Sequence, residues 1–331
     1  MIRILLAALT AGLMTAALMP LVIRLSARLK IRQTILHYVD NHMAKSGTPT
    51  MGGVGFILAA IVASLAFSER ARTLLLIALT VMAGYAVVGF LDDFIKVYFK
   101  RNEGLTPLQK ILFQVVIAAI VAVTAYHSSL IGSTVYVPFT MRTVDLGPFS
   151  VLLAVGVFLA MTNSVNLTDG LDGLAAKVTA VYLVFFGAVV FFAAGTLAGT
   201  AAEEYRNLTV MAAALFGALF GFICYNGYPA RIFMGDTGSL SLGGALAALA
   251  VMTRLEFIVP IIGVMYAVSS LSVILQVAHY KRTKKRIFLM APFHHHLERK
   301  GMHENRIVSV YTAVTFAAGA VTYVLTLALA G

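Results

Sequence analysis

The chain has no tryptophan, a single cysteine (Cys224) and only eight prolines in 331 residues. One cysteine excludes an internal disulfide and any zinc or iron–sulfur site built from several thiolates, and makes redox chemistry a poor reading. Charge is scarce too. Asp, Glu, Lys and Arg make up 12% of the residues, about half the share usual for a soluble chain, while 60% of residues are apolar. That balance excludes an ordinary soluble enzyme. Acids are the rarest charges, 14 against 25 Lys plus Arg. No low-complexity tract and no convincing internal repeat is present, and no nucleic-acid partner is expected.

What fills the chain is long apolar runs. Ten stand out: Ile4 to Ile23, Met51 to Phe67, Thr73 to Leu91, Ile111 to Leu130, Ser150 to Val165, Thr179 to Leu197, Leu208 to Tyr225, Ser239 to Thr253, Phe257 to Ala278 and Ile307 to Ala330. In lipid a segment can satisfy its backbone groups by itself only as a helix. The first run, about 20 residues, is too long for the apolar core of a signal peptide. The expected fold is therefore an all-α polytopic integral membrane protein with about ten transmembrane helices, residues 1–331 forming one catalytic domain.

Ten spans put both termini on one side of the membrane. Nineteen of the 25 Lys and Arg then fall in the odd-numbered loops and six on the other side. Lys and Arg accumulate in cytoplasmic loops, so the odd loops are expected inside and both termini outside. Such a basic inner face attracts anionic headgroups and anionic cytosolic ligands. Between the fourth and fifth runs, Ser133 to Phe149 alternates apolar and polar residues around a break, the pattern of a short external β-hairpin.

Five aspartates sit at the cytoplasmic ends of apolar runs. In GFLDDFIK, Asp92 and Asp93 are adjacent, with Lys96 one helical turn beyond. Neighbouring carboxylates repel unless a cation or a shared proton intervenes. A solvated helix end with an ion pair is the plain alternative. In NSVNLTDGLDGLA, Asn166, Asp169 and Asp172 are spaced by three, on one side of a helical extension, beside Gly170 and Gly173. They could bind ribose hydroxyls, a base edge or a hydrated cation, or simply cap a helix. Asp236, in MGDTGS, lies at a helix start, where backbone N–H groups favour anions. It could equally be an N-cap.

The other fragments are basic or neutral. His294, His295 and His296 are consecutive and cannot all point one way, so a tridentate metal site is a poor reading; one or two imidazoles reaching a phosphate or hydroxyl fit better. Lys45 and Thr50 lie in KSGTPTMGG, which is not a Walker A loop. Clustered aspartates without soft ligands favour Mg²⁺, which bridges carboxylates to diphosphate oxygens. Lysines and histidines nearby would neutralise phosphate charge as a phosphorus–oxygen bond breaks. A site at membrane level that faces the cytosol suits one nucleotide diphosphate and one lipid.

The stretches KSGTPTMGG, GFLDDFIK, NSVNLTDGLDGLA, RIFMGDTGSLSLGG and APFHHHLERKG, in this order from Lys45 to about Gly301, closely resemble one superfamily. It is the polyprenyl-phosphate N-acetylhexosamine-1-phosphate transferases, and the PFHHHLE segment selects the phospho-N-acetylmuramoyl-pentapeptide-transferase (MraY) branch. The resemblance implies a ten-helix, Mg²⁺-dependent enzyme of the bacterial inner membrane, commonly a homodimer, with its site on the cytoplasmic face. It would join UDP-N-acetylmuramoyl-pentapeptide to undecaprenyl phosphate, releasing UMP and making lipid I.

Carried over residue by residue, Asp92, Asp93 and Asp236 would be catalytic. Asp236 would hold Mg²⁺, with Asp92 and Asp93 as further candidate ligands, and Asp92 would deprotonate the lipid phosphate. Lys45, Asp172 and Phe233 would hold uracil, and Thr50, Asn166, Asp169 and Asn226 would line the ribose and its surroundings. Lys96, Lys110, His294 and His295 would meet the diphosphate or sugar. The chain departs from the pattern in two places. VDNHMAKSGTPT keeps His42 but not the Gly-Pro-x-Ser around it, and Met302 follows Gly301 where a Trp is common. Rival readings are a sister transferase moving N-acetylglucosamine 1-phosphate, a secondary transporter whose acids are ion sites, and a scaffold with dispensable acids. Transporter acids belong near the bilayer midplane, which these five do not match.

Overall fold

In the computed structural model, which describes residues 1–29, 47–99, 103–140 and 142–330, each of the ten apolar runs falls on helix. In chain order these are α1 (Ile2–Arg28), α2 (Gly53–Phe67), α3 (Thr73–Tyr98), α4 (Pro107–His127), α5 (Phe149–Thr168), α6 (Leu174–Gly195), α7 (Gly199–Asn226) and α8 (Gly235–Met252). A 3-10 turn (Glu256–Ile258) then leads into α9 (Val259–Ile262), α10 (Val264–Thr283), α11 (Phe293–Arg299) and α12 (Glu304–Ala330).

Not every one of the ten expected spans is long and apolar enough by itself to count as one. Among the described residues seven helices are long and apolar enough to cross a bilayer: α1, α3, α4, α5, α6, α7 and α12. An eighth is added if α9 and α10 count as one broken span, because the ninth run is bent by 83° across Gly263. Helix α2 has 15 residues, short of the roughly 20 that hydrocarbon requires. Helix α8 is diluted by Gly, Ser and Thr, and every residue from Thr237 to Met252 is buried by protein. An apolar run marks a helix; it does not separate one facing lipid from one wrapped by its neighbours.

Helix α8 is the central element, flanked by α3 and α5 and touched by α2. Around it, α7 packs on α1 and α6, α12 on α6, and α4 on α5. Main chains meet where side chains are missing. A Cβ on Gly89 of α3 would lie 2.1 Å from the carbonyl oxygen of Asp236, and one on Gly53 would lie 2.4 Å from the Cα of Gly238. These small residues let α3 and α2 approach the first turn of α8.

The opposite end of α3 is held by α7. Buried Glu204 accepts from the N–H groups of Thr73 (2.8 Å) and Leu74 (2.9 Å), and Asn207 Oδ1 accepts from Glu69 N–H. The exposed first-turn amides that every helix has therefore find an anionic partner here.

The hairpin appears where alternation placed it. Strands β1 (Thr134–Tyr136) and β2 (Thr143–Asp145) pair antiparallel, with Val135 opposite Val144. Arg254 fastens it to the bundle. Its guanidinium donates to Thr134 Oγ1 (3.0 Å) and the Tyr136 hydroxyl (3.1 Å) and lies 4.8 Å from the centre of the Tyr136 ring.

Gly89→Ala is expected to force α3 from α8 at a cost of about 1–3 kcal/mol, since the obstacle is main chain. Thermal unfolding in detergent should show a lowered midpoint. Gly84→Ala, whose Cβ would meet only a side-chain carbon of Ile117 at 3.6 Å, should leave the midpoint unchanged.

Candidate active site

Three carboxylates converge where α3 ends and α8 begins. One oxygen each from Asp92, Asp93 and Asp236 lies within 4.8 Å of the others. The donors are all hard oxygens, so the group can hold a metal ion, and its chemistry suits a hard cation over a thiolate-seeking one.

Their partners differ. Asp92 Oδ2 lies 2.6 Å from Lys96 Nζ, and Oδ1 lies 3.2 Å from Lys110 Nζ and accepts from Leu105 N–H at 3.0 Å. Asp236 Oδ2 accepts from both ammonium groups, Lys96 at 2.9 Å and Lys110 at 2.8 Å, while Oδ1 accepts from Asn166 Nδ2 at 2.7 Å. The Asp92–Lys96 ion pair of the plain alternative is present, but Asp92 is buried and Lys96 bridges to a second helix. Lys110 arrives from the first turn of α4, whose start is set by Pro107 and by a capping box between Thr106 and Gln109.

Asp93 faces the other way. Its Oδ1 accepts from Asp236 N–H (3.1 Å), and its Oδ2 accepts from Thr237 N–H (2.9 Å) and Thr237 Oγ1 (2.7 Å). It caps α8 from a neighbouring helix. The anion favoured at that helix start is thus Asp93, whereas Asp236 points its own carboxylate at the lysines and does not cap. All three carboxylates are engaged, but Asp93 is held by main-chain amides and a hydroxyl of α8, whereas Asp92 and Asp236 are held mainly by the ammonium groups of Lys96 and Lys110, which can swing aside. Asp92 and Asp236 are therefore the pair better disposed to hold a cation.

Two loops meet beside the cluster. Residues 47–53 pair with residues 231–235: Phe233 N–H donates to Pro49 O (2.8 Å) and Gly52 N–H to Phe233 O (2.9 Å). This brings buried Thr50 beside Gly235, where a Cβ would lie 3.0 Å from Thr50 Oγ1 and 2.6 Å from Asp93 Oδ2. Gly235 has φ +75°, a conformation that glycine adopts readily. Asn226 Nδ2 donates to Ile232 O at 2.9 Å, and its buried Oδ1 has no hydrogen-bond partner among the described residues.

The helical extension expected for Asn166, Asp169 and Asp172 is not formed. Helix α5 ends at Thr168, Gly173 has φ +73°, and the three side chains diverge. Asn166 reaches Asp236 and Ser239, whereas Asp172 Oδ2 accepts from Ala230 N–H at 2.9 Å. Asp169, just past the end of α5, is held well above the ordinary carboxylate range, chiefly by burial and then by Asp236, Asp93 and Asp172.

The histidines do separate. Buried His294 packs against Gly170, where a Cβ would lie 2.3 Å from Nε2. His295 Nδ1 pairs with Glu298 Oε2 at 3.0 Å, and His296 Nδ1 accepts from Leu289 N–H at 3.1 Å. Lys45 lies outside the described residues.

Residues that motif reading passed over hold this site. Glu304, at the start of α12, accepts from Asp172 N–H; Thr237 holds Asp93; Ser239 holds Asn166. Glu304 was visible only as one more inner-face charge, because its partner is a backbone group 132 positions away.

Residues 73–254, which carry all three aspartates, match the model of glycosyl transferase family 4, and residues 45–57 match signature 1 of phospho-N-acetylmuramoyl-pentapeptide-transferase. A phospho-N-acetylmuramoyl-pentapeptide-transferase of Clostridium novyi (strain NT) is 42% identical over 297 residues, 89% of this chain and 88% of that protein. The one from Desulfitobacterium hafniense (strain DSM 10664 / DCB-2) is 42% identical over 320 residues, 96% of each chain. A third, from Caldanaerobacter subterraneus subsp. tengcongensis, is 44% identical over 277 residues, 84% of each.

The apolar helices, the carboxylate–lysine cluster and the family-model match define a multi-pass membrane phosphoglycosyl transferase. Within that class the chain belongs to the phospho-N-acetylmuramoyl-pentapeptide-transferase family.

The raised Asp169 carboxyl carries a stability prediction. A group that binds its proton more tightly when folded lowers stability as pH rises above its ordinary value of 3.8, and the loss is complete above the folded value. Asp169→Asn should raise the unfolding midpoint at pH 7.5 without divalent cations, with a gain that shrinks toward pH 4. A midpoint unchanged at pH 7.5 would contradict the assignment.

Proposed function

We propose that this chain transfers phospho-N-acetylmuramoyl-pentapeptide from its UDP conjugate to undecaprenyl phosphate, giving lipid I and UMP, the first membrane step of peptidoglycan synthesis. The observation that carries the reading is the pair of ammonium groups, Lys96 and Lys110, bridging Asp92 and Asp236. Two cations beside two carboxylates form a site that phosphate oxygens can enter by taking over the lysines. Asp92, thereby released, accepts the proton of the lipid phosphate.

The lipid phosphate oxygen attacks the phosphorus that bears the sugar, and the bond from that phosphorus to the oxygen of UMP breaks. Lys96 and Lys110 neutralise the charge that gathers on the leaving phosphate. Single displacement and a covalent aspartyl intermediate both fit these residues. Asp236, with Asp92 beside it, would hold Mg²⁺. The ion would supply further neutralisation of the diphosphate. Asp93 keeps the first turn of α8, and so Asp236, in place.

Lys45, Asp172 and Phe233 are assigned to uracil, and Thr50, Asn166, Asp169 and Asn226 to the ribose and its surroundings. The buried, unpartnered Oδ1 of Asn226 supports a polar ligand there. His294 and His295 are assigned to the diphosphate or sugar. With ten crossings of the bacterial inner membrane, the charge asymmetry of the loops supports both termini outside and the site facing the cytoplasm. A homodimer is the proposed assembly.

Purified protein with undecaprenyl phosphate and Mg²⁺ is expected to release UMP from UDP-N-acetylmuramoyl-pentapeptide and not from UDP-N-acetylglucosamine. Release from the second alone would move the chain to the sister activity. Asp92→Asn, Asp93→Asn and Asp236→Asn should each lower turnover at least about a hundredfold while the protein stays folded. Near-normal rates in all three would sink the assignment.

A further inference from the structure

The densest positive charge on the described surface lies outside the transferase site, at the end of α10. Lys281, Arg282, Lys284, Lys285 and Arg286 fall within six residues, with no acid among them, and all five are exposed. None forms an ion pair with a carboxylate among the described residues.

This segment is a built turn. Lys284 adopts a left-handed conformation (φ 58°) that ends α10 and reverses the chain. The Gln276 side chain then binds the returning strand. Its Oε1 accepts from the N–H groups of Ile287 and Phe288, and its Nε2 donates to Phe288 O, all at 3.0 Å. Residues 284–289 therefore run back beside the last turns of α10, with the five cations at the tip.

Two apolar features flank the tip. On the α10 side, Leu271, Ile274 and Leu275 are exposed about two to three turns before the cations, as on a lipid-facing helix. On the return side, Ile287 and Leu289 are exposed as well. A cluster of Lys and Arg just beyond an apolar helix, with apolar side chains at its edge, complements a surface of anionic phospholipid headgroups. A soluble anion would gain nothing from the exposed Ile287 and Leu289.

The turn also leads into the site. Leu289 N–H donates to His296 Nδ1 on α11, and Phe288 packs edge-on against Phe293 and His296. The same short helix carries His294, which lies against Gly170 in the loop of Asp169 and Asp172. We propose that residues 281–289 form a docking turn for anionic phospholipid headgroups, and that docking seats α11, and with it the histidines, against the catalytic loops. The link to turnover rests on the transferase reading; the lipid contact does not.

The test uses the full chain in nanodiscs, where sidedness of insertion plays no part. Enrichment of phosphatidylglycerol around the protein, relative to phosphatidylcholine, is read from quenching of labelled headgroups. UMP release is measured in the same discs with and without phosphatidylglycerol. The native chain should enrich the anionic lipid and release UMP several-fold faster in its presence. The combined variant K281Q/R282Q/K284Q/K285Q/R286Q, with an unchanged thermal midpoint, should lose both responses. The charge-keeping variant K281R/R282K/K284R/K285R/R286K should keep them. Equal enrichment by the native chain and the Gln variant would overturn the lipid contact. Loss of enrichment with no change in turnover would overturn its link to the site. A variant that raises KM for the nucleotide while keeping its lipid response would overturn the proposal in favour of a nucleotide contact. If no UMP is released under any condition, the quenching result alone still decides the lipid contact.

Discussion

The cap that Asp93 places on α8 is the interaction on which the site depends. A helix start leaves up to four N–H groups without partners, and burying one unsatisfied costs about 1–3 kcal/mol. Helix α8 begins inside the protein, wrapped by α2, α3 and α5. Asp93 supplies acceptors for two of those amides and for the Thr237 hydroxyl. The exchange favours both sides, because the amides stabilise the buried carboxylate. One residue earlier, Asp92 points to the lysines. Adjacent positions on one helix thus divide the work: one carboxylate fixes the frame and the other faces the site.

The same device recurs one helix back. Glu204 of α7 caps α3, and Asp93 of α3 caps α8. A line of carboxylate-to-amide contacts therefore runs α7 to α3 to α8, and the Gly89 contact with Asp236 O closes the last joint. Electrostatics explains the remainder of the site. Three aspartates within 4.8 Å repel, and Lys96 and Lys110, each bonded to both Asp92 and Asp236, offset that repulsion. Two cations against three carboxylates leave a negative balance, which suits a further cation arriving with an anionic substrate.

Much of this was legible in the chain. Apolar runs marked the helices, since lipid and a protein core select the same residues, and period-two alternation marked the hairpin. The motif residues Asp92, Asp93, Lys96, Lys110, Asn166 and Asp236 do meet. What periodicity could not show was the burial of α8 on all sides or the bend across Gly263, because both depend on neighbours. The spacing of Asn166, Asp169 and Asp172 suggested a common face, but Gly170 and Gly173 follow the end of the helix at Thr168 and turn the chain. The roles of Asp93, Glu304 and Ser239 were hidden for one reason: each bonds a group far away in sequence, to which composition and spacing are blind.

The central claim is that Asp93 anchors the helix bearing Asp236 and leaves cation binding to its neighbours. The most direct measurement is a crystal structure of the protein soaked in Mn²⁺, with the ion located by its anomalous scattering. The expected peak lies against Asp236 and Asp92, with both Asp93 oxygens still on the amides of Asp236 and Thr237. A peak ligated by Asp93, with those amide contacts broken, would contradict the account.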